Sequence, residues 1–297
     1  MRYRPFGTAG KSVSAISLAL SRAGGPSDVA GWRGQIFAGM EHGINCFDIE
    51  AGHEPLELGV AQALQAVERR LIFLIFTIRA HPGRPFTLEH LVETVKQGLA
   101  RTGARYFDVL MFDQETFAAL TPKARVLLAR LREASLVLQF GASDDARRLD
   151  AVVQDPDFEV LATPYNLTSD WQARRILREA SAAGMVTLGY DVAPTAMLQA
   201  PAPPKLLSRP RRDHHNPLAG SGTYAFLHST PGWSAEALCV AYALTEPALA
   251  TLQLDMSLLA QIDDLAATPD RDPPTGLGAQ VEMARFSAEP AAERRSA

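Results

Sequence analysis

Three ionisable side chains stand where short apolar segments of the sequence end: Asp48, His53 and Asp113. Histidine titrates near neutral pH, so His53 could donate a proton, and Asp48 or Asp113 could orient or charge its ring. Two carboxylates beside one imidazole would favour its charged form, however, and would weaken it as a proton donor. The sequence leaves open a structural role for His53 in a polar loop and for Asp113 at a solvent-facing strand end.

Two other groups of side chains lie in a Pro-rich stretch late in the chain. Three arginines there suit the geometry of phosphate, although a solvated loop explains them equally well: Arg209, Arg211 and Arg212. Next to them, His214 and His215 are adjacent in sequence and would point in different directions, which is a weak metal signal.

The elements that must position these residues follow from the hydrophobic pattern. Short β-rich apolar segments alternate about eight times with longer segments of helical spacing. The predicted strands are 15–20, 43–49, 71–78, 106–113, 136–142, 159–165, 186–192 and 250–255. The predicted helices are 28–41, 55–69, 88–102, 121–134, 145–154, 169–183, 233–244 and 257–267. Residues that can cap the first amides of such helices include Thr87, Thr121, Ser169 and Ser234.

Eight strands alternating with eight helices predict an α/β protein with a single (β/α)8 TIM barrel. An open doubly wound sheet is the rival fold. It would carry a Gly-rich phosphate turn after its first strand, and the segment 15–25 (AISLALSRAGG) lacks that spacing.

Two segments interrupt the alternation. A Pro-rich excursion after the seventh strand, at about 193–232, suits a lid or a recognition loop. The tail from about 268 is expected to be partly ordered through Phe286 and disordered beyond it. The predicted organisation is one barrel domain at 1–285 and a flexible tail at 286–297.

Composition excludes several classes of function. The 29 basic and 33 acidic side chains give a formal net charge of −4, which offers no general attraction to nucleic acid or to an anionic membrane. No apolar stretch approaches the roughly 20 residues that a membrane span requires, and no signal peptide is expected. The two cysteines, Cys46 and Cys239, have no metal-type spacing and fit free thiols in a reducing cytoplasm. The sequence therefore predicts a cytoplasmic protein without a metal site.

A series of motifs along about residues 2–265 resembles the aldo-keto reductase family. The opening RYRPFGTAGKSVSAISLAL resembles the hairpin that closes the floor of the family's barrel. Five further matches follow in order: GINCFDIEAGH resembles "GIN-x-FDTA-x-x-Y", TGARYFDVLMFD resembles "L-x-x-DY-x-DL-x-x-x-H", FGASD resembles "GVSN", TPYNL resembles "PYNL" and GYDVAP resembles "AYSPL". The resemblance implies a barrel with an N-terminal hairpin, and hydride transfer from a nicotinamide cofactor to a carbonyl.

The family's catalytic tetrad is altered in this chain. In the family a Tyr is the general acid, supported by a Lys–Asp pair and a neighbouring His. Asp48 matches the family's Asp, whereas His53 stands at the Tyr position, Ile78 at the Lys position and Asp113 at the His position. Ile78 supplies no cation to offset Asp48. Because three of the four positions are replaced, the resemblance implies a protein that is not catalytically active.

Retention of the cofactor is a separate expectation. Ser143 and Asp144 occupy the family's Ser–Asn positions that hold the carboxamide, and Tyr190 occupies the aromatic position that stacks on the nicotinamide. With Asp48, these are the predicted cofactor-binding residues. Two changes weaken the site: the family's Gln after strand six is Ala162, and Asp144 replaces an amide by an acceptor.

The type of dinucleotide is predicted from the segment after the last strand. The family has a basic Gly-rich loop there that holds the 2′-phosphate, whereas this chain has Asp255, Asp263 and Asp264. Carboxylates would repel a 2′-phosphate but accept a hydrogen bond from a ribose 2′-hydroxyl. NAD(H) is therefore expected rather than NADP(H).

Dinucleotide binding without turnover predicts a regulator. Cofactor occupancy would favour one surface conformation and so control contacts with one or more protein partners. In overall character the chain is similar to a member of this family that regulates bacterial cell division and the cell cycle. Two alternatives stay open: an active NAD(P)H-dependent oxidoreductase with His53 as the proton donor, and a lyase or isomerase that uses His53 with Asp48 or Asp113.

Overall fold

The computed structural model describes residues 1–7, 10–80, 86–143, 150–194, 198 and 224–293. Side chains are described in those ranges except at residue 150 and from residue 286 onward. The predicted cofactor residue Asp144 and most of the excursion at 193–232 lie outside the described residues.

Eight parallel strands form a closed barrel, which confirms the predicted fold and excludes the open sheet. Each strand pairs with the next along the chain, and β10 pairs with β3 to close the ring. The barrel strands are β3 (Ile16–Leu20), β4 (Cys46–Glu50), β5 (Phe73–Ile78), β6 (Phe107–Asp113), β7 (Val137–Ser143), β8 (Val160–Pro164), β9 (Val186–Tyr190) and β10 (Leu249–Leu254). All eight predicted strands are present, with ends shifted by up to three residues.

An antiparallel hairpin precedes the barrel, as predicted from the opening segment. Its strands are β1 (Tyr3–Phe6) and β2 (Lys11–Ser14), which pair from Tyr3 opposite Ser14 to Phe6 opposite Lys11. Phe6 is fully buried and packs on Phe73, at the start of β5, with ring centroids 4.3 Å apart. The hairpin therefore closes the end of the barrel at which the strands begin.

Helices between the strands cover the outside of the barrel. They are α1 (Val29–Glu41), α2 (Glu54–Leu64), α3 (Leu88–Thr102), α4 (Gln114–Ala118), α5 (Pro122–Glu133), α6 (Asp150–Val153), α7 (Trp171–Ala182), α8 (Ala235–Ala243), α9 (Ile262–Ala267) and α10 (Leu277–Glu293). Helix α4 was not predicted, and α10 occupies much of the segment that was predicted as a tail. It crosses the predicted domain boundary at 285, and the flexibility of residues 286–297 stays a prediction.

Most of the predicted helix caps are confirmed. The side chains of Thr87, Thr121 and Ser234 each accept a hydrogen bond from a backbone amide in the first turn of the following helix. The predicted cap at Ser169 is wrong. Its hydroxyl instead accepts from the amide of Asn166, 2.9 Å away, and Asp170 caps α7.

The core has two layers, separated by the barrel wall. The inner layer fills the barrel and includes Phe6, Cys46, Val109 and Met111. The outer layer lies between strands and helices and contains most of the large apolar side chains, Cys239 among them. Both cysteines are buried free thiols. In the part of the chain that the structure describes, no helix is long and apolar enough to cross a bilayer.

Candidate functional site

A cavity of about 210 Å³ opens at the end of the barrel where the strands terminate, which is where (β/α)8 enzymes place their reactive groups. We call it the mouth cavity. Its described lining is Ala19, Leu20, Ser21, Asp48, Glu50, Thr77, Arg79, Met111, Ser143, Ala162, Tyr190, Asp191, Gln253 and Asp255.

Asp48 lies at the base of the mouth cavity and is only 6% exposed. Strand alternation turns its side chain into the barrel, where one oxygen accepts a hydrogen bond from the Thr77 hydroxyl. The other oxygen accepts from Gln253 Nε2 at 2.8 Å. Burial raises the pKa of Asp48, while the hydrogen bonds and the nearby charge of Arg79 act in the opposite direction. The carboxylate is thus held by two neutral donors rather than by a lysine.

Ile78 does not line the mouth cavity. It is 1% exposed and belongs to the outer layer of the core, because it points away from the barrel axis. Its neighbours Thr77 and Arg79 line the cavity instead. The cavity therefore does contain a cation close to Asp48, contributed by the residue after the predicted position.

Both carboxylate oxygens of Asp113 accept hydrogen bonds from backbone amides. One oxygen accepts from the amide of Thr116 at 2.9 Å, which caps α4, and the other accepts from the amide of Ala80 at 2.8 Å. It is not among the residues that line the mouth cavity. This arrangement fits the structural role that the sequence left open.

His53 precedes α2 and is buried, with 8% of its surface exposed. Its ring meets Trp32 edge to face, with centroids 5.5 Å apart. Neither ring nitrogen has a hydrogen-bond partner among the described residues, and His53 does not line the mouth cavity. Burial lowers the pKa of His53, and the charge of Arg22 lowers it further. The structure brings His53 together with neither Asp48 nor Asp113.

Some of the residues expected at a nicotinamide meet at the mouth cavity. Ser143, Tyr190 and Ala162 all line the mouth cavity, and Ala162 is on the strand between the other two. Ser143 Oγ is 3.4 Å from the carbonyl of Phe112, which is a weak hydrogen bond that leaves its lone pairs available. An aromatic face and a hydroxyl at the edge of a cavity fit a planar carboxamide ring.

The charged residues that line the mouth cavity are mainly acidic. Glu50, Asp191 and Asp255 line it with Asp48, and among the described residues only Arg79 supplies a positive charge to that lining. Burial, followed by the charge of Asp255, raises the pKa of Asp191, whose backbone has a φ of +51°. A phosphate group would be repelled there, whereas a hydroxyl could donate a hydrogen bond.

Two acidic residues predicted near the ribose lie elsewhere. Asp263 pairs with His42 Nε2 at 2.8 Å, and Asp264 pairs with Arg271 at 3.1 Å. Neither lines the mouth cavity. Of the three predicted carboxylates, Asp255 alone lines the mouth cavity.

Several predicted residues cannot be placed. Asp144 and the residues of the Pro-rich excursion lie outside the described residues: Arg209, Arg211, Arg212, His214 and His215. Within the described ranges, no group of three or more His, Cys, Asp or Glu side chains could hold a metal ion.

Sequence reasoning missed Thr77, Arg79 and Gln253, which surround Asp48. Gln253 had a signal, since it is the one amide side chain in the segment 250–254, whose other residues are Ala, Thr and Leu. Thr77 had a weaker one, because it lies two residues from Ile75 and so shares the inward face of β5. Arg79 lies just beyond the predicted strand, and no pattern in the sequence marked it as a site residue.

Solved structures of aldo-keto reductases have folds similar to that of this chain. The aldo-keto reductase AKR11C1 from Bacillus halodurans, in its holo form, superimposes with a TM-score of 0.70 at 16% identity over 97% of this chain and 96% of that one. The apo form of the same enzyme gives 0.67 at 16% identity over 95% of each chain. No family model matches the sequence, and no curated protein matches it. The chain thus has the fold of aldo-keto reductases.

Proposed function

We propose that this chain is a catalytically degenerate aldo-keto reductase homologue that binds NAD(H) in the mouth cavity and regulates protein partners. One observation carries the proposal: Asp48 is held by Thr77 and Gln253, and the described cavity lining contains no lysine and no tyrosine other than Tyr190. Tyr190 is the single tyrosine of that lining, and it stands at the position expected to stack on the ring. A cavity that keeps a stacking face without a proton donor suits binding without turnover.

The choice of NAD(H) over NADP(H) rests on charge. Tyr190 and Ser143 would hold the nicotinamide end, and the bound cofactor would supply a hydride-carrying ring. Asp255 at the rim would accept a hydrogen bond from a ribose hydroxyl. A 2′-phosphate would be repelled by the acidic side chains of the lining, in which Arg79 is the one described cation.

The regulatory role rests on this loss of chemistry together with the long excursion at 193–232, which is large enough to be a recognition loop. In character the chain is similar to KidO, an oxidoreductase-like bacterial regulator of cell division and of a sensor kinase. We propose a cytoplasmic protein with one or more protein partners and no nucleic-acid partner. Capture of partners from a bacterial lysate, with and without NADH, tests this part.

The alternative, an active reductase that uses His53 as the proton donor, receives no support from the site. His53 lies outside the cavity lining and packs against Trp32 with both nitrogens buried. A general acid must come within hydrogen-bond reach of the group that it protonates. The same geometry argues against a lyase or isomerase built on His53.

The test separates binding from turnover. Purified protein is titrated with NADH and with NADPH while nicotinamide fluorescence is followed, and aldehydes and quinones are then added. We expect tighter binding of NADH than of NADPH, and no oxidation. Tyr190→Ala should weaken binding about tenfold, because it removes the stacking face.

Tyr3→Ala is the matched control, since Tyr3 is 53% exposed on the hairpin at the opposite end of the barrel. It should leave binding unchanged. Steady oxidation of NADH would contradict the regulator and restore the reductase. Absence of any dinucleotide binding would contradict the cofactor assignment and reduce the chain to an interaction scaffold.

A further inference from the structure

A second polar cavity lies away from the barrel mouth, against the N-terminal hairpin. It measures about 110 Å³ and is lined by Arg2, Arg4, Ala15, Ala241, Leu244, Thr245, Thr268, Pro269, Arg271 and Pro273. We call it the floor cavity. Three of its ten lining residues are arginines, and none is an aspartate or a glutamate. We propose that the floor cavity binds a single phosphate-sized oxyanion.

Arg4 is the central residue of this site. It is half-buried, and its guanidinium donates to the carbonyl of Leu249 at 2.6 Å and to the carbonyl of Leu244 at 2.8 Å. Both acceptors are neutral, and no carboxylate in the described part of the chain pairs with Arg4 within 4.0 Å. Burial and the charge of Arg2 lower the pKa of Arg4. An unpaired cation that is partly withdrawn from water is costly, and an anion in the cavity would offset that cost.

Arg4 also keeps donors for a ligand. A guanidinium has five N–H groups in a rigid fork, and the two carbonyls account for two of them. The same carbonyls fix the orientation of the side chain, so little conformational entropy would be lost on binding. Arginine in this state suits the bidentate geometry of a phosphate.

The other two arginines, unlike Arg4, each have a carboxylate within 4.0 Å. Arg271 pairs with Asp264 at 3.1 Å and lies over the ring of Trp233, 3.7 Å from its centroid, so its charge is compensated. Arg2 is 64% exposed and stands 3.9 Å from Asp270, which also takes the N-terminal ammonium group. The charge that remains without a carboxylate therefore comes from Arg4, with a contribution from Arg2.

The size of the floor cavity limits the ligand. At about 110 Å³ it has about half the volume of the mouth cavity. Three arginines around so small a space suit a phosphate or the phosphate group of a small metabolite. Phosphate binding there should consequently be independent of any ligand in the mouth cavity.

Isothermal titration of the full chain with inorganic phosphate at low ionic strength tests the proposal. We expect binding that Arg4→Gln weakens by about tenfold or more, because charge-assisted hydrogen bonds are lost. Since Arg4 also holds two carbonyls, Arg4→Gln could impair folding. Arg2→Gln changes an exposed side chain and should weaken binding as well.

Arg178→Gln is the matched control, because Arg178 is exposed on α7 and lines neither cavity. It should bind phosphate as the unchanged chain does. Titration with a sugar phosphate in a second arm distinguishes a phosphate monoester from the free ion as the preferred source. Absence of binding at millimolar phosphate, or equal binding by Arg2→Gln, Arg178→Gln and the unchanged chain, would overturn the proposal. So would competition between phosphate and NADH.

Discussion

Among individual residues, His53 combines deep burial with an ionisable ring. Its nitrogens have no described partner, and its ring packs on Trp32. The groups that act on its charge are Arg22 from the loop after β3, which disfavours the charged form, and Glu50 and Glu57, which favour it. Burial and Arg22 together outweigh the two glutamates, so the neutral ring is the form that the fold favours.

This burial predicts a dependence of stability on pH. The pKa of His53 is lower in the folded chain than in the unfolded chain. The contribution of the neutral ring to folding stability is therefore complete above about pH 6.5 and is lost as the pH falls from there through the pKa of the folded chain. His53→Phe keeps an aromatic ring against Trp32 and removes the titration. Urea unfolding of this variant should show a flatter stability profile between about pH 7 and pH 5 than the unchanged chain.

His228→Gln is the control, since His228 is exposed, and its profile should match that of the unchanged chain. Two observations would contradict the interpretation: a variant profile as steep as the original, or loss of NADH binding in His53→Phe.

The residues around Asp48 show how far sequence reasoning reaches at this scale. The position of Asp48 at the mouth was predictable from the strand that carries it. Ile78 was assigned to the family's Lys position, because motif spacing counts residues and does not determine which face of a strand each residue occupies. A shift of one position exchanges an outward side chain for an inward one, which is why Thr77 and Arg79 were missed.

Among the elements, α10 is attached to the barrel by a small polar network. Arg285 donates to the carbonyl of Leu167 at 2.6 Å and to the Tyr242 hydroxyl at 2.7 Å. Arg174 on α7 donates to the same hydroxyl at 2.8 Å and pairs with Glu282 at 2.7 Å. One phenolic oxygen on α8 thus joins two other helices.

Tyr242→Phe tests this attachment. It removes the shared acceptor but keeps the ring that stacks on Tyr165 with an interplanar angle of 5°. Leaving two arginine donors without their acceptor should raise hydrogen exchange in α10 by about tenfold, with little effect on the barrel strands. Exchange measured by mass spectrometry resolves the two regions.

Tyr106→Phe serves as the comparison, because the Tyr106 hydroxyl has no hydrogen-bond partner in the described part of the chain. It should leave exchange in α10 as it is. Equal exchange in α10 for all three proteins would show that apolar contacts of Leu277 and Val281 hold the helix instead.

Elements were more predictable than single side chains. Each barrel strand is a short, largely apolar segment, so it was visible without tertiary information. Helix α10 was not predictable from the sequence pattern in the same way. Its sequence follows two prolines and contains many small residues, and its apolar side is defined by the surface on which it packs.

At the scale of the whole molecule, one buried carboxylate joins the hairpin to the barrel. Asp108 is 1% exposed and accepts hydrogen bonds from Lys11 on the hairpin, from Arg69 Nη2 at 2.7 Å and from the amide of Leu74 at 2.9 Å. The side chain therefore connects β2, β5 and β6 at the closed end.

Asp108→Ala should destabilise the entire fold by about 3 kcal/mol, because it leaves Arg69 and an amide partly buried without their acceptor. Urea unfolding followed by circular dichroism and by tryptophan fluorescence should report the same shift. Asp157→Ala breaks a pair with Arg125 in which Asp157 is 54% exposed, and should cost less than about 1 kcal/mol. Transitions that separate between the two probes would contradict a single cooperative unit.

The acidic lining of the mouth cavity also sets how ionic strength should act on a dinucleotide. Most proteins that bind phosphates do so through electrostatic attraction, and salt weakens that binding. Here four carboxylates face one described guanidinium, so an anionic ligand approaches against repulsion. Mobile ions screen that repulsion over about 10 Å at 0.1 M salt. Moderate salt should therefore strengthen the binding of NADH, and the acidic mouth would favour occupancy in a concentrated ionic medium over a dilute one.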